Sequence, residues 1–314
     1  MPAARPLAAF FAPAAATDYR AGHCAFRAQV LPCHPSAASP ARESKQYRGQ
    51  GHQVSGDIMA KRWWLFLLLG YLLYGEARAE LRVAFATARP PYSYTNEHGK
   101  NVGLEIDLLR TLLGRMGQQM RVVLYPNTRL VLSALQHEVD VAATVQGMDG
   151  RGLYFSHDYV WFNNVAISLA IRGIRLDSVD DLDYHTFVIW QDGWRHLGPS
   201  FEAKYRPDSH GKFPANYNEA PDQAMQSKMF WAGRTELIVV DRAIFAYYRK
   251  ALPASYHTGQ AITVHDIFKT RTAFAVAFKQ QALRDRFNAE LKKLQDSGEY
   301  AAIQEKYLGM DSVP

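Results

Sequence analysis

A carboxylate at the end of an apolar run is the residue of this chain best placed to bind a small charged molecule. Asp241 directly follows residues 237–240, which read as a buried strand. A carboxylate at the carboxyl end of such a strand suits an ammonium group, because charge-assisted hydrogen bonds are strong. The same position equally suits the N-cap of a helix starting at Arg242. One aspartate can serve both purposes, so both readings stay open.

No spaced motif of a hydrolase or a metalloenzyme accompanies this aspartate. The sequence has neither G-x-S-x-G nor H-E-x-x-H, and the histidines after residue 80 lack metal-ligand spacing. Both cysteines, Cys24 and Cys33, lie near the N-terminus, so the remainder has neither a disulfide nor a thiol nucleophile. We therefore expect no metal, no other cofactor and no catalytic residue.

Residues 59–79 have the three parts of a Sec-type signal peptide. A positively charged start is followed by an apolar core over residues 63–74 and by an A-x-A site at residues 77–79. The core is too short for a membrane-spanning helix, which needs about 20 residues. We therefore expect an exported protein whose mature chain begins at Glu80.

A cleaved signal normally stands at the start of a chain, yet residues 1–58 precede this one. They are rich in Ala, Pro, Arg and Ser and show no periodicity that could build a core. We expect translation to start at Met59 and residues 1–58 to be a non-native or disordered extension. The alternative is a genuine disordered extension followed by a signal anchor.

The basic character of the chain is concentrated in this leader. Of the 36 Lys and Arg residues nine precede Glu80, and of the 30 Asp and Glu residues four do. The remainder therefore has a net charge near +1, against +6 for the whole sequence. Charge thus gives no support for nucleic-acid or membrane binding.

Strand-like and helix-like runs alternate after the leader, which predicts an α/β protein with parallel strands and crossover helices. In the first half the predicted strands are residues 81–86, 120–124 and 139–143, and the predicted helices are 103–116 and 130–136. In the second half the strands are 165–171, 186–190, 237–240 and 272–278, and the helices are 197–205, 220–231, 280–297 and 300–307.

Two apolar strands bracket the central block, which predicts a lobe inserted into another and joined to it by two crossing strands. We assign residues 80–168 and 275–314 to lobe 1 and residues 169–274 to lobe 2. Ligands of open α/β sheets bind beyond the carboxyl ends of the strands. The predicted site is therefore the cleft between the lobes.

Several segments in this order resemble the bacterial extracellular solute-binding proteins of family 3, the periplasmic receptors of polar amino-acid ABC transporters. The resemblance covers residues 81–309 and rests on these segments: Pro90-Pro91-Tyr92-Ser93-Tyr94, Val102-Gly103-Leu104-Glu105-Ile106-Asp107-Leu108, Val139-Asp140, Tyr154-Phe155-Ser156, Ser178-Val179-Asp180-Asp181-Leu182, Leu237-Ile238-Val239-Val240-Asp241, Gly298-Glu299-Tyr300 and Lys306-Tyr307-Leu308-Gly309. It implies two Rossmann-like lobes, a periplasmic binding protein of type II, that close on a ligand without chemistry.

The resemblance also implies roles for several residues. Asp241 stands where the family aspartate binds the ligand's α-amino group, and Arg151 lies near the arginine that grips its carboxylate. Gly193 keeps the glycine of a turn that cradles the carboxylate at a helix N-terminus. Trp194 and Arg195 replace the hydroxyl residues of that turn, which implies a bulkier and more cationic pocket. An ordinary surface arginine and a packed tryptophan are the plainer readings.

Three more residues are candidates for the cleft. Tyr92 and Tyr94 follow Pro90-Pro91 at the end of the first strand, where aromatic rings can form a wall and bind an amino group by cation–π contact. Arg129 follows a Pro-Asn-Thr turn, where it can bind ligand but can equally cap or pair.

We therefore expect a monomeric periplasmic protein that captures a small, amino-acid-like polar ligand and delivers it to an ABC transporter permease. Two alternatives remain. One is an enzyme like the cyclohexadienyl dehydratases, relatives of this family, for which Glu105, Asp241 or His157 could supply the acid or base. The other is a sensory protein that presents bound ligand to a membrane partner.

Overall fold

The structure of the protein, a computed structural model, describes residues 80–147 and 152–309. The predicted extension and signal peptide and the predicted ligand residue Arg151 lie outside these residues. None of the described helices is both long enough and apolar enough to span a bilayer.

The described strands and helices alternate as the sequence predicts. The strands are β1 (Leu81–Ala86), β2 (Tyr94–Thr95), β3 (Asn101–Val102), β4 (Met120–Tyr125), β5 (Val141–Val145), β6 (Tyr154–Phe155), β7 (Val160–Phe162), β8 (Asn164–Leu169), β9 (Phe187–Trp190), β10 (Tyr217–Ala220), β11 (Leu237–Asp241), β12 (Ile262–His265) and β13 (Thr272–Phe278). The α-helices are α1 (Leu104–Arg115), α2 (Leu130–Leu135), α3 (Pro199–Tyr205), α4 (Gln223–Trp231), α5 (Arg242–Ala251), α6 (Gln281–Asp296) and α7 (Glu299–Leu308).

The strands form two larger sheets, and each is the centre of one lobe. The first sheet has the order β4-β1-β5-β13-β6, with β7 also paired to β13. The second has the order β10-β9-β11-β8-β12. In each sheet three neighbouring strands run parallel, and the crossing strand, β13 or β8, runs antiparallel to them. This arrangement is the two-lobed α/β architecture that the sequence predicts.

At both crossings the chain passes from one lobe to the other a few residues before the predicted lobe border. All of β8 pairs within the second sheet, and all of β13 pairs within the first. Residues 164–168 therefore belong with lobe 2 and residues 272–274 with lobe 1. The apolar run continues through each crossing, so hydrophobicity alone does not mark the point where the chain changes sheets.

Helix α1 shows how the apolar spacing builds the core of lobe 1. Leu104, Leu108 and Leu112 recur every four residues, and Leu109 and Leu113 form the neighbouring row; all are buried. Two such rows make an apolar stripe wide enough to cover a sheet. The predicted helix is confirmed, and it packs against both C-terminal helices, α6 and α7.

The predicted helix over residues 220–231 begins later than expected. Residues 217–220 form β10, which pairs parallel with β9. Asp222 then caps α4, because its side chain accepts a hydrogen bond from the amide of Met225. Pro199 likewise occupies the first turn of α3, where it needs no amide donor, so that helix begins two residues after the predicted start.

Candidate functional site

A cavity with an empty volume of about 340 Å³ lies where the two lobes face each other. Most of its lining residues follow the carboxyl ends of parallel strands, where open α/β sheets bind ligands. Lobe 1 and its hinge contribute Arg89, Asn127, Phe162 and Phe274, and lobe 2 contributes Asn164, Trp190, Gln223, Asp241 and Ile244.

Asp241 ends β11, and only 2% of its surface is exposed. Its Oδ1 accepts hydrogen bonds from the amides of Ala243 and Ile244 at 3.0 and 3.2 Å, so it caps α5. Its Oδ2 accepts from the amide of Asn163 at 2.7 Å. Burial raises the pKa of Asp241 to about 6, although these hydrogen bonds oppose the shift. The aspartate thus lines the cavity and caps the helix at once.

Tyr92 joins this aspartate to the opposite lobe. Its hydroxyl donates a hydrogen bond to Oδ1 of Asp241 at 3.0 Å, and its ring centroid lies 4.2 Å from that of Phe162. Burial and the neighbouring carboxylate raise the pKa of Tyr92 well above its usual value. Two further contacts cross the cleft: Tyr248 donates to the carbonyl of Ala88 at 3.2 Å, and the Tyr94 ring lies 5.6 Å from Tyr247.

One residue of the cavity wall, Arg89, belongs to a buried ion pair that no local sequence pattern predicted. Nη2 of Arg89 donates to both carboxylate oxygens of Glu105, at 3.0 and 2.9 Å. Glu105 is fully buried on the first turn of α1, and the Arg89 guanidinium lies 5.3 Å from the centroid of Phe162. Glu105 is an acidic residue on the apolar face formed with Leu108 and Leu109. That position is the signal that could have indicated a buried cationic partner.

The predicted carboxylate turn does not reach this cavity. Gly193 and Trp194 are buried at the start of a 3-10 turn, and Trp194 packs in the core of lobe 2. Its amide donates to the hydroxyl of Tyr217 at 3.2 Å. A Cβ atom at Gly193 would lie 2.6 Å from the side chain of Ile189, so Ile189 would have to shift to admit a larger residue there. Arg195 lies 4.3 Å over the Trp194 ring and is 58% exposed.

Of the other predicted ligand residues, Arg129 lies away from the cavity. It binds both carboxylate oxygens of Glu138, at 2.7 and 3.0 Å, and stacks over Tyr125. Tyr94 stands at the edge of the cleft and does not line the cavity. His157, which the enzyme alternative invokes, is exposed, and Glu105 is held by Arg89.

A second cleft, with a larger empty volume, lies beside the hinge. It has an empty volume of about 780 Å³, and its polar lining includes Gln146, Arg195, His196, Glu202, Lys269 and Arg271. Nδ1 of His196 lies 2.8 Å from Oε1 of Gln146, which makes a further bond between the lobes. Burial lowers the pKa of His196 to about 4. Within residues 80–147 and 152–309, no three His, Cys, Asp or Glu side chains gather so as to hold a metal ion.

Comparisons with known sequences point in one direction. The arginine-binding periplasmic protein of Mannheimia haemolytica is 24% identical over 252 residues, which cover 79% of this chain and 99% of that protein. The L-cystine-binding protein TcyJ of Escherichia coli (strain K12) is 22% identical over 246 residues, 77% of this chain and 87% of its own length. Both names describe binding proteins.

Solved structures share the fold at lower identity. An ancestral arginine-binding protein bound to arginine superposes with a TM-score of 0.58 at 19% identity, covering 73% of this chain and 98% of its own. A histidine kinase sensor domain with similarity to periplasmic binding proteins has a TM-score of 0.59 at 20% identity, covering 74% and 97%. The fold is that of type II periplasmic binding proteins, as the sequence analysis predicts.

A family model for bacterial extracellular solute-binding proteins, family 3, matches residues 81–310, nearly all of the chain that follows the predicted leader. The same residues contain both sheets and every residue that lines the interlobe cavity. The chain therefore belongs to family 3 of the bacterial extracellular solute-binding proteins.

Proposed function

We propose that this protein captures a small polar ligand, an amino acid or a related acid, in the cavity between its lobes. The observation that carries the proposal is the composition of the cavity wall. It combines one buried cation, Arg89, with the buried amides of Asn164 and Gln223 and the aromatic rings of Phe162 and Trp190. Few polar groups set among apolar walls are typical of a site that orients a small molecule.

Binding would act by lobe closure. The lining comes from both lobes, so a bound ligand contacts both of them only when the cleft is closed. A ligand shifts a conformational equilibrium by its differential affinity for the two states. The contacts from Tyr92 to Asp241 and from Tyr248 to Ala88 already join the lobes, so the ligand adds to an existing set of closing contacts.

The proposed setting is the periplasm, and the proposed recipient of the ligand is the membrane permease of an ABC transporter. Family membership and the names of the relatives support this setting, and the signal peptide predicted at residues 59–79 agrees with it. The closed form, in which the two lobes present one continuous surface, is the form that a permease would recognise.

A second candidate function is ligand sensing without transport. It is supported by the likeness to a histidine kinase sensor domain, which extends over 74% of this chain. The same closure would then be transmitted to a membrane partner in place of a permease. The two functions share the cavity and differ only in the partner.

Calorimetric titration of the purified protein with the twenty amino acids and related acids tests the proposed function. We expect micromolar or tighter binding of one class, with a smaller radius of gyration in X-ray scattering when ligand is added. Chromatography of the ligand after incubation should recover it unchanged. Silence across the panel would contradict the proposal, and conversion of the ligand would support the enzyme alternative.

Uptake and sensing are separated in cells. If the protein serves transport, deleting its gene should abolish uptake of the radiolabelled ligand identified by calorimetry. Unchanged uptake, together with a lost transcriptional response to the ligand, would favour sensing.

A further inference from the structure

We propose that the second cleft, beside the hinge, binds a small anion with two or more negative charges, and that the bound anion favours the closed arrangement of the lobes. The cleft shares no described lining residue with the interlobe cavity, so this anion is a second molecule and not the captured ligand. The effect of the anion on ligand capture rests on the proposed function, whereas the anion site itself does not.

The lining of the cleft carries more positive than negative charge. Its described cations are Arg195, Lys269 and Arg271, and its described acid is Glu202. Oε1 of Glu202 already accepts a hydrogen bond from Arg206 at 2.5 Å, so the charge of this acid is paired. Walls that carry one sign of charge focus the field in a cleft and raise the local concentration of counter-ions. A multivalent anion is therefore the class of ligand that this cleft attracts.

Two of these cations lack a partner within residues 80–147 and 152–309. Lys269 and Arg271 are separated by one residue on the segment that leads into β13, and both are exposed. Neither side chain forms an ion pair, a hydrogen bond or a cation–π contact with another described residue. The guanidinium of Arg271 can bind two oxygens of an anion at once, and the ammonium of Lys269 supplies a compact charge.

Arg195 completes the cationic lining from lobe 2. Its guanidinium lies 4.3 Å from the centroid of the Trp194 ring, which restrains it by cation–π contact. Its Nε pairs with Asp192 at 3.5 Å, and its two terminal nitrogens have no hydrogen-bond acceptor among the described residues. Charge-assisted hydrogen bonds to carboxylate and phosphate oxygens are strong, so these nitrogens suit an anion.

The walls of the cleft come from both lobes and from the segment that joins them. Gln146 follows β5 of lobe 1, residues 195–202 belong to lobe 2, and residues 268–273 lead from lobe 2 into β13. Nδ1 of His196 and Oε1 of Gln146 meet across the cleft at 2.8 Å. Because opening of the lobes separates these walls, an anion that contacts them binds the closed form more tightly and shifts the equilibrium towards it.

A chain of hydrogen bonds connects the cleft to the interlobe cavity. Nδ2 of Asn164, which lines the cavity, donates to Oγ1 of Thr272 at 2.9 Å. The same hydroxyl donates to the carbonyl oxygen of His196 at 3.2 Å, and both Thr272 and His196 line the cleft. The two sites therefore share one set of packed groups. Coupling between two sites is reciprocal, so the anion and the captured ligand should each strengthen binding of the other by the same factor.

Calorimetry on the purified protein, without any amino acid, tests the anion site. The probes are citrate and pyrophosphate as multivalent anions and acetate as a monovalent anion, all at one ionic strength. We expect saturable binding of citrate or pyrophosphate, with acetate at least about 10-fold weaker. Binding of none of the three, or equal binding of all three, would overturn the proposal.

The double variant Lys269→Gln/Arg271→Gln tests the location of the site. Both side chains are exposed, so this cleft variant should fold, and it should bind the preferred anion at least about 10-fold more weakly. Lys100→Gln/Arg121→Gln is the matched control, because it removes one exposed lysine and one exposed arginine outside the described lining of the cleft. Its anion affinity should stay within about 2-fold of the unaltered value, since distant exposed charges are screened.

Unchanged anion affinity in the cleft variant would overturn the proposal. Equal losses in the two double variants would also overturn it, because they would show diffuse attraction to net charge. If circular dichroism shows that the cleft variant does not fold, Arg195→Gln replaces it and Arg121→Gln becomes the control, with the same two outcomes deciding.

X-ray scattering tests the effect of the anion on the lobes. The preferred anion should reduce the radius of gyration of the unaltered protein and leave that of the cleft variant unchanged. Binding without this reduction would overturn the closing role. The amino acid identified by calorimetry should bind about 3- to 10-fold more tightly when the anion is present. Anion binding without any amino-acid binding would overturn the proposed function and leave the anion site standing.

Discussion

The hydroxyl of Tyr92 and the carboxylate of Asp241 meet across the cleft at 3.0 Å, although 149 residues separate them in the chain. Each belongs to a different lobe, and each is 2% exposed. The carboxylate is also the cap of α5, so the helix end, the lobe contact and the cavity wall share one group. A change at either residue should therefore affect the balance between open and closed lobes.

Tyr92→Phe should weaken lobe closure without unfolding either lobe. The variant removes one hydrogen bond to a carboxylate, worth about 1–2 kcal/mol, and shifts the closing equilibrium by about 5- to 30-fold. X-ray scattering should show a larger radius of gyration, and calorimetry a correspondingly weaker ligand affinity. Tyr300→Phe is the control, because Tyr300 bonds the carbonyl of Tyr159 within lobe 1. A scattering curve for Tyr92→Phe that matches the unaltered protein would contradict the role.

Asp241 should make the protein less stable as the pH rises. Burial raises its folded pKa to about 6, above the ordinary 3.8, so the native state binds the proton more tightly than the unfolded state. Its contribution is full below pH 3.8 and is lost as the pH rises through about 6, a change of about 3 kcal/mol. Urea unfolding measures the free energy of unfolding of the unaltered protein and of Asp241→Asn. The value for the unaltered protein, relative to that of the variant, should fall as the pH rises through this window. A difference that grows with pH would contradict the assignment.

His196 should act in the opposite direction over nearly the same window. Burial lowers its folded pKa from 6.5 to about 4, so the neutral form is favoured in the native state. Its contribution is present above pH 6.5 and is lost as the pH falls through about 4. His196→Asn, which can keep a donor near Gln146, should lose less stability on acidification. Urea unfolding over the same pH range measures this loss for the unaltered protein and for His196→Asn. An equal loss of stability in the two proteins would contradict the lowered pKa of His196.

Substitution of Trp194 distinguishes a packing role in lobe 2 from a role in ligand binding. Because it is packed in the core of lobe 2, Trp194→Ala should reduce the free energy of unfolding by about 3–5 kcal/mol. Ligand affinity of the folded variant should change by less than about 3-fold. Denaturant unfolding and calorimetry together measure the two effects. A large loss of affinity with unchanged stability would instead support the pocket role predicted from sequence.

Export is tested by the N-terminus of the protein found in the periplasm. If residues 59–79 are a cleaved signal peptide, Edman sequencing should begin at Glu80. Residues from upstream of Met59 in the exported protein would contradict the predicted start, and a membrane-retained product would favour the signal anchor.

The sequence predicts the fold well because each buried helix or strand has a characteristic pattern of apolar residues in its own segment. A period or a length of apolar residues can be recognised within one segment, whatever packs against it. Examples are the leucine rows of α1, the apolar run of β11 and the two strands that bracket lobe 2. The position of the cavity follows from the same topology, since parallel strands end at one edge of a sheet. Asp241 could be placed there for that reason.

The chemistry of the cavity was harder to predict because it depends on pairs that are distant in the chain. Arg89 forms an ion pair with Glu105. The carboxylate of Asp241 accepts hydrogen bonds from Tyr92 and from three backbone amides. Family position pointed to Trp194 and Arg195, but the packing of lobe 2 decides where those side chains lie. A local pattern does not contain such partners.

The position of β13 fixes the order in which the chain can assemble during synthesis. This strand lies between β5 and β6, yet it follows the whole of lobe 2 in the sequence. Lobe 2 is contiguous, so its sheet can form as soon as β12 emerges. Lobe 1 must wait for residues 272–278 and for the two helices that cover it. Its early strands therefore lack a central partner while lobe 2 is being synthesised, so lobe 1 cannot complete its sheet before the whole of lobe 2 has been made.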